Sequence, residues 1–158
     1  MNNGVEFDDR KHPAHPSPVI RVNRPTIVFL TLCVEGRRPL LANDHVHSCL
    51  MVFWAEATHW LVGRYMIMPD HIHLFCAPSN EDSSLKLWVQ YWRNAFTKAW
   101  PHPQDKPIWQ RDYWDRQIRR GESYSEKWAY VEQNPVRAGL VNMVQEWPYQ
   151  GELNVLRW

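Results

Sequence analysis

Two pairs of histidines stand at positions i and i+2: His71-Ile72-His73 and His45-Val46-His47. What either pair can do depends on the backbone beneath it. On a strand, side chains alternate, so i and i+2 point the same way with α-carbons roughly 7 Å apart, and both imidazoles can reach one cation. On a helix the same pair diverges by roughly 200° about the axis and cannot. Two imidazoles suit zinc, manganese, nickel or magnesium with water ligands, and two ligands leave room for a substrate. A second candidate is Tyr130, with Asn134 four residues on. A phenol ionises near ~10 unaided. A nearby cation could lower that value and polarise a phosphate at once, and a hard divalent ion would accept the Asn134 carbonyl oxygen. Gln133 offers the same amide, and the four-residue spacing favours Asn134. Taken singly, each feature also has an ordinary reading: surface histidines on a hairpin, and a half-buried aromatic beside a helix-ending asparagine.

The elements around these residues separate the two pairs. Thr26 to Val34 is β-branched and aromatic and reads as a buried strand. Asn43 and Asp44 are N-cap candidates for a helix to about Val62, with Val46, Leu50, Phe53, Ala57 and Leu61 on one face. His45 and His47 fall in its solvated first turn and share no metal. Tyr65–Met68 and His71–Cys76 read as strands joined at Pro69-Asp70. Ile72, Leu74 and Cys76 form one apolar set, which turns His71 and His73 to the opposite face of the sheet.

Leu85, Trp88, Trp92, Phe96 and Ala99 line a helix over 84–100, and a short strand is expected within 108–117. Ser123 and Glu126 have a capping-box pattern and open a helix to about Asn134, with Tyr124, Trp128 and Val131 inward and Tyr130 off that stripe. Pro135 is expected to stop it. The order β, α, β, β, α, β, α predicts an α+β ferredoxin-like two-layer sandwich, an antiparallel sheet with helices on one face. The expected layout is a flexible arm over 1–19, one domain over 20–150 and a short tail over 151–158.

Composition bounds the partners. The 158 residues carry 18 Lys plus Arg against 17 Asp plus Glu. That excludes a strongly basic protein, so a nucleic acid would have to meet a local patch. Ten tryptophans serve a core or stack unpaired bases. Trp92, Trp100, Trp109 and Trp114 are the stacking candidates, Trp92 being the one on an apolar face. Cys33, Cys49 and Cys76 form no CxxC pattern and read as reduced thiols. With no apolar run for a signal peptide or a membrane span, a cytoplasmic protein is expected.

The run Met68-Pro69-Asp70-His71-Ile72-His73-Leu74-Phe75 resembles the His-hydrophobic-His (HUH) signature of single-tyrosine transposases. Tyr130 to Val141 (YVEQNPVRAGLV) resembles the second block of the REP-associated tyrosine transposases, as do Ile108 to Arg111 and Trp114 to Arg119. The resemblance runs from about Val28 to Trp147.

It implies the HUH transposase fold and one divalent metal ion, Mg²⁺ or Mn²⁺, on His71, His73 and Asn134. It also implies that Tyr130 attacks a phosphodiester of single-stranded DNA in a palindromic hairpin, leaving a 5′-phosphotyrosine and a 3′-OH. Such joining needs no ATP. The subgroup favours a monomer; a homodimer with the tyrosine supplied by the partner is the other arrangement. Arg21, Arg24, Arg37, Arg38, Arg93, Arg111, Arg116, Arg119, Arg120 and Arg137 are available to DNA, with Arg37-Arg38 and 116–120 the clusters suited to phosphates. The rival reading is a domesticated hairpin-binding protein without catalysis. An RNA-binding ferredoxin-like domain ranks last, because histidines stand where sheet aromatics are expected.

Overall fold

The structure, a computed structural model, describes His15, Pro18 and residues 26–119 and 123–157. The expected arm over 1–19 therefore lies outside the described residues apart from His15 and Pro18, and so do Arg21, Arg24 and Arg120.

Five antiparallel strands form one sheet: β1 (Val28–Cys33), β2 (Trp60–Ile67), β3 (His71–Pro78), β4 (Trp114–Gln117) and β5 (Gln150–Glu152), in the order β4-β1-β3-β2-β5. Helix α1 (Asp44–Glu56) links β1 to β2 and α2 (Leu85–Ala99) links β3 to β4. This is the ferredoxin-like β-α-β-β-α-β arrangement.

Both helices bury their apolar stripes against one face of the sheet. Asn43 caps α1 by accepting from Val46 N–H at 3.0 Å, and Val46, Leu50 and Trp54 turn inward. Ser84 caps α2, which buries Leu85, Trp88, Val89, Trp92 and Phe96. Trp54, Trp60, Trp88, Trp92 and Trp109 all join this core with Ile72, Leu74 and Cys76 of β3. Trp92 and Trp109 are thus core residues and stack no bases. Trp100 is half-buried and donates to Asp105 at 2.9 Å, and Trp114 is half-buried on β4.

The opposite face is also covered. Helix α3 (Tyr124–Val131), capped by Ser123, lays Tyr124, Trp128 and Val131 over Phe75, Met66 and Ile27. Phe75 meets Tyr124 at 4.8 Å between ring centroids. Helices on one face therefore holds for α1 and α2, while α3 crosses the other.

Three boundaries and one burial differ from the sequence reading. First, α1 ends at Glu56 and Trp60 already opens β2; pairing with β3 overrides a helical spacing that ran on to Leu61. Second, Pro135 does not end the helical path. Glu132 and Gln133 keep right-handed helical backbone, and Pro135 sits in the first turn of α4 (Asn134–Arg137), where its missing N–H has no partner to lose. Third, the tail is not separate at 151. β5 pairs with β2, and Leu153 and Asn154 donate to the Gly63 and Val62 carbonyls. Fourth, His47 is half-buried, with Nε2 2.8 Å from the Tyr65 hydroxyl, so only His45 is solvated.

Candidate active site

The antiparallel register sets the site. Thr31 lies opposite His73 and Cys33 opposite His71, so these four side chains share the face that α3 partly covers. His71 and His73 stand side by side, with ring centroids 4.8 Å apart and planes 80° apart. His73 is only 5% exposed, stacked on Phe29 at 5.3 Å. Its Nδ1 lies 2.8 Å from Thr31 Oγ1. His71 Nδ1 lies 2.7 Å from Asp70 Oδ1. A carboxylate only accepts, so this nitrogen carries the proton and Nε2 carries the lone pair.

Burial is the main reason that both imidazoles are held below their ordinary value. His73 lies well below it, pushed further by His71, Arg37 and Arg137, whereas Asp70 partly offsets the burial of His71. For Asp70, burial alone would raise the carboxyl; hydrogen bonds from His71 and Arg37, with their charges, outweigh it and hold the group low.

Neutral imidazoles with Nδ1 engaged and Nε2 unpartnered among the described residues are the form in which histidine ligates metals. The pair could hold a divalent ion. No three His, Cys, Asp or Glu side chains converge among the described residues, so a third protein donor there would have to be of another type, such as an amide.

Arg37 acts on His71 through Asp70. Gly36 and Arg37 both have positive φ, 68° and 53°, a conformation that a non-glycine residue adopts only when its surroundings hold it. The turn brings the guanidinium back to Asp70 Oδ2 at 2.8 Å, Cys33 Sγ at 3.0 Å and His71 Nδ1 at 3.5 Å.

Tyr130 is not in the apolar interior. It is 47% exposed, one residue before the inward Val131. The Arg137 guanidinium lies 4.2 Å from its ring centroid. The same group donates to the Tyr130 carbonyl at 2.9 Å and to the Asn134 side-chain oxygen. Asn134 is half-buried and Gln133 is exposed.

The other arginines divide. Arg38 donates to the Glu35 and Pro107 carbonyls, and Arg93 to those of Gln110 and Arg111. These two contacts apiece staple loops, and each guanidinium keeps further donors. Arg111, Arg116 and Arg119 are exposed on and around β4. Sequence reasoning missed Thr31 and the roles of Asp70 and Arg37 around His71. Thr31 carries no local signal, whereas the Asp70-His71 adjacency was visible.

Comparison with protein-family models finds no match. The chain is 29% identical over 126 residues to the REP-associated tyrosine transposase of Escherichia coli K12, covering 77% of this chain and 73% of that protein. It is 25% identical over 136 residues to a Haemophilus influenzae protein provisionally given the same name, covering 78% and 77%. Its fold matches that of a REP-associated tyrosine transposase solved bound to a REP hairpin, with a TM-score of 0.69 and 23% identity over 83% of this chain and 79% of that one. A provisionally named transposase of Deinococcus radiodurans shares the fold at a TM-score of 0.51 and 16% identity, over 72% and 97%. In sequence this chain is similar to the REP-associated tyrosine transposases of Escherichia coli and Haemophilus influenzae, and it shares the fold of one solved with a REP hairpin.

Proposed function

We propose that this chain is a metal-dependent endonuclease and strand transferase for single-stranded DNA that carries a palindromic hairpin. The observation that carries the reading is the juxtaposition at one sheet face: two neutral histidines with Nε2 unpartnered among the described residues, and a helix over the same face bearing the exposed Tyr130. The hairpin partner is carried over from the solved neighbour, whose own complex contains a REP hairpin.

His71 and His73, with Asn134 as third ligand, would hold the Mg²⁺ or Mn²⁺ ion. Bound there, the ion draws negative charge from a phosphate oxygen. Asp70 and Thr31 keep the two rings turned with Nε2 outward. Tyr130 Oη attacks phosphorus in line, the P–O3′ bond breaks, and the phenol proton is lost as the departing strand gains one to become a 3′-OH. The DNA stays joined to Tyr130 through its 5′-phosphate. Attack by a second 3′-OH reverses the step and joins strands, because the ester conserves the bond. Exposed Arg111, Arg116 and Arg119 suit phosphates along the bound strand. In this scheme the chain acts as a monomer in the cytoplasm, where its DNA lies; a homodimer with the tyrosine supplied by the partner is the other arrangement.

The test is a hairpin oligonucleotide incubated with Mn²⁺ or with EDTA and resolved on a denaturing gel. A 3′ label should move into the protein band with Mn²⁺ only, and a 5′ label should not. Hairpin binding without any adduct would replace this reading with that of a non-catalytic hairpin-binding protein.

A further inference from the structure

Arg137 meets three groups with one guanidinium. It covers the Tyr130 ring at 4.2 Å, donates to the Tyr130 carbonyl at 2.9 Å and donates to the Asn134 side-chain oxygen. The first two contacts have a local cause. The Tyr130 carbonyl lies where α3 gives way to α4, a junction at which helical carbonyls lose partners. A basic side chain is the usual substitute. The third contact joins residues three apart on one helical turn, where side chains ordinarily meet. It engages the oxygen that the proposed function gives to the metal.

We propose that Arg137 is the positioning residue of this site: its guanidinium fixes the Tyr130 ring and competes with the metal ion for the Asn134 oxygen. The inference rests on the proposed function for the identity of the metal site. A fork with five donors on a planar group can grip an amide oxygen, a carbonyl and a ring face together, and an ammonium cannot. An amide oxygen bonded to a cation is a poorer ligand for a second cation, because both draw on the same lone pairs and their charges repel.

The test uses the full chain without DNA. Mn²⁺ is titrated by water-proton relaxation or calorimetry into the wild type, R137A, N134A and N134A/R137A, each first checked for a cooperative thermal transition. R137A should bind Mn²⁺ about fivefold or more tightly than the wild type, the lower end of ordinary coupling between sites. In the N134A background the same change should shift the affinity by about twofold or less, the residue of a screened charge. An unchanged or weaker affinity in R137A overturns the proposal, and so does a gain that survives whole without Asn134.

At saturating Mn²⁺ and hairpin, R137A should form adduct on the order of a hundredfold more slowly, as a misplaced nucleophile does. R137K should not restore the rate, whereas full rescue by R137K would show that only charge is needed and would overturn the positioning role. If the wild type forms no adduct, the proposed nuclease fails while the DNA-free titration still decides the competition for Asn134. If no variant binds Mn²⁺, both fail together.

Discussion

Thr31 Oγ1 lies 2.8 Å from Nδ1 of His73, across the β1–β3 pair. The hydroxyl decides which nitrogen of a buried imidazole looks outward. Such outer partners tune ligand orientation, and their loss costs about 10–100-fold in metal affinity. Thr31→Val keeps the shape and removes the oxygen. It should weaken Mn²⁺ binding by about tenfold, and leave a buried ring nitrogen unpaired at a cost of about 1–3 kcal/mol. Metal titration and urea unfolding read the two effects separately.

Arg37 is held at φ 53° by its contacts with Asp70 and Cys33. Truncation to alanine removes the contacts and keeps the unfavourable backbone, while glycine removes both. Arg37→Gly should therefore be more stable than Arg37→Ala by about 1 kcal/mol, although both lose the Asp70 pair. Equal stability of the two variants in urea would mean that the turn carries no backbone strain.

A side chain at Gly63 would force its neighbours to move. A Cβ there would come within 2.6 Å of Leu156 Cδ1 and 2.7 Å of the Tyr124 hydroxyl, which accepts from Arg64 N–H. Gly63→Ala should destabilise the fold by about 1–3 kcal/mol, as overpacking does. Adding Leu156→Ala should recover part of that loss in thermal or urea unfolding. No recovery would place the clash at Tyr124 alone.

His47 is held below its ordinary value chiefly by burial, against a smaller upward pull from Asp44; Tyr65 and Tyr149 pack against its ring. Its folded pKa is lower than its unfolded one, so the unfolded chain binds the proton first. Stability from this group is present above about 6.5 and falls as the pH drops through that value toward the folded pKa. His47→Gln should flatten the decline in unfolding stability between neutral and mildly acid pH. An unchanged slope would show that His47 does not contribute.

Much of this was legible in the residues. Apolar periodicity located β1, β3, α2 and the inward face of α3, and strand alternation turned His71 and His73 away from Ile72 and Leu74. What escaped was long-range. Trp60 joins β2 because β3 lies beside it, and the helical spacing upstream cannot show that. Thr31 meets His73 only through the register of two strands, 42 residues apart in sequence. The second core, where Phe75 meets Tyr124 and Trp128, depends on α3 folding back across the sheet. Arginines could be counted from the sequence, but whether Arg38 and Arg93 meet carbonyls or solvent depends on loops that only the fold positions.

The central claim is that Tyr130 is the nucleophile. The direct measurement is to incubate the protein with a hairpin oligonucleotide and Mn²⁺, isolate any covalent product, and identify the DNA-bearing peptide by mass spectrometry. The account predicts DNA on the peptide that contains Tyr130, and no covalent product from Tyr130→Phe although that variant still binds the hairpin within a few-fold of the wild type. DNA on another residue, or a covalent product that survives in Tyr130→Phe, would contradict it.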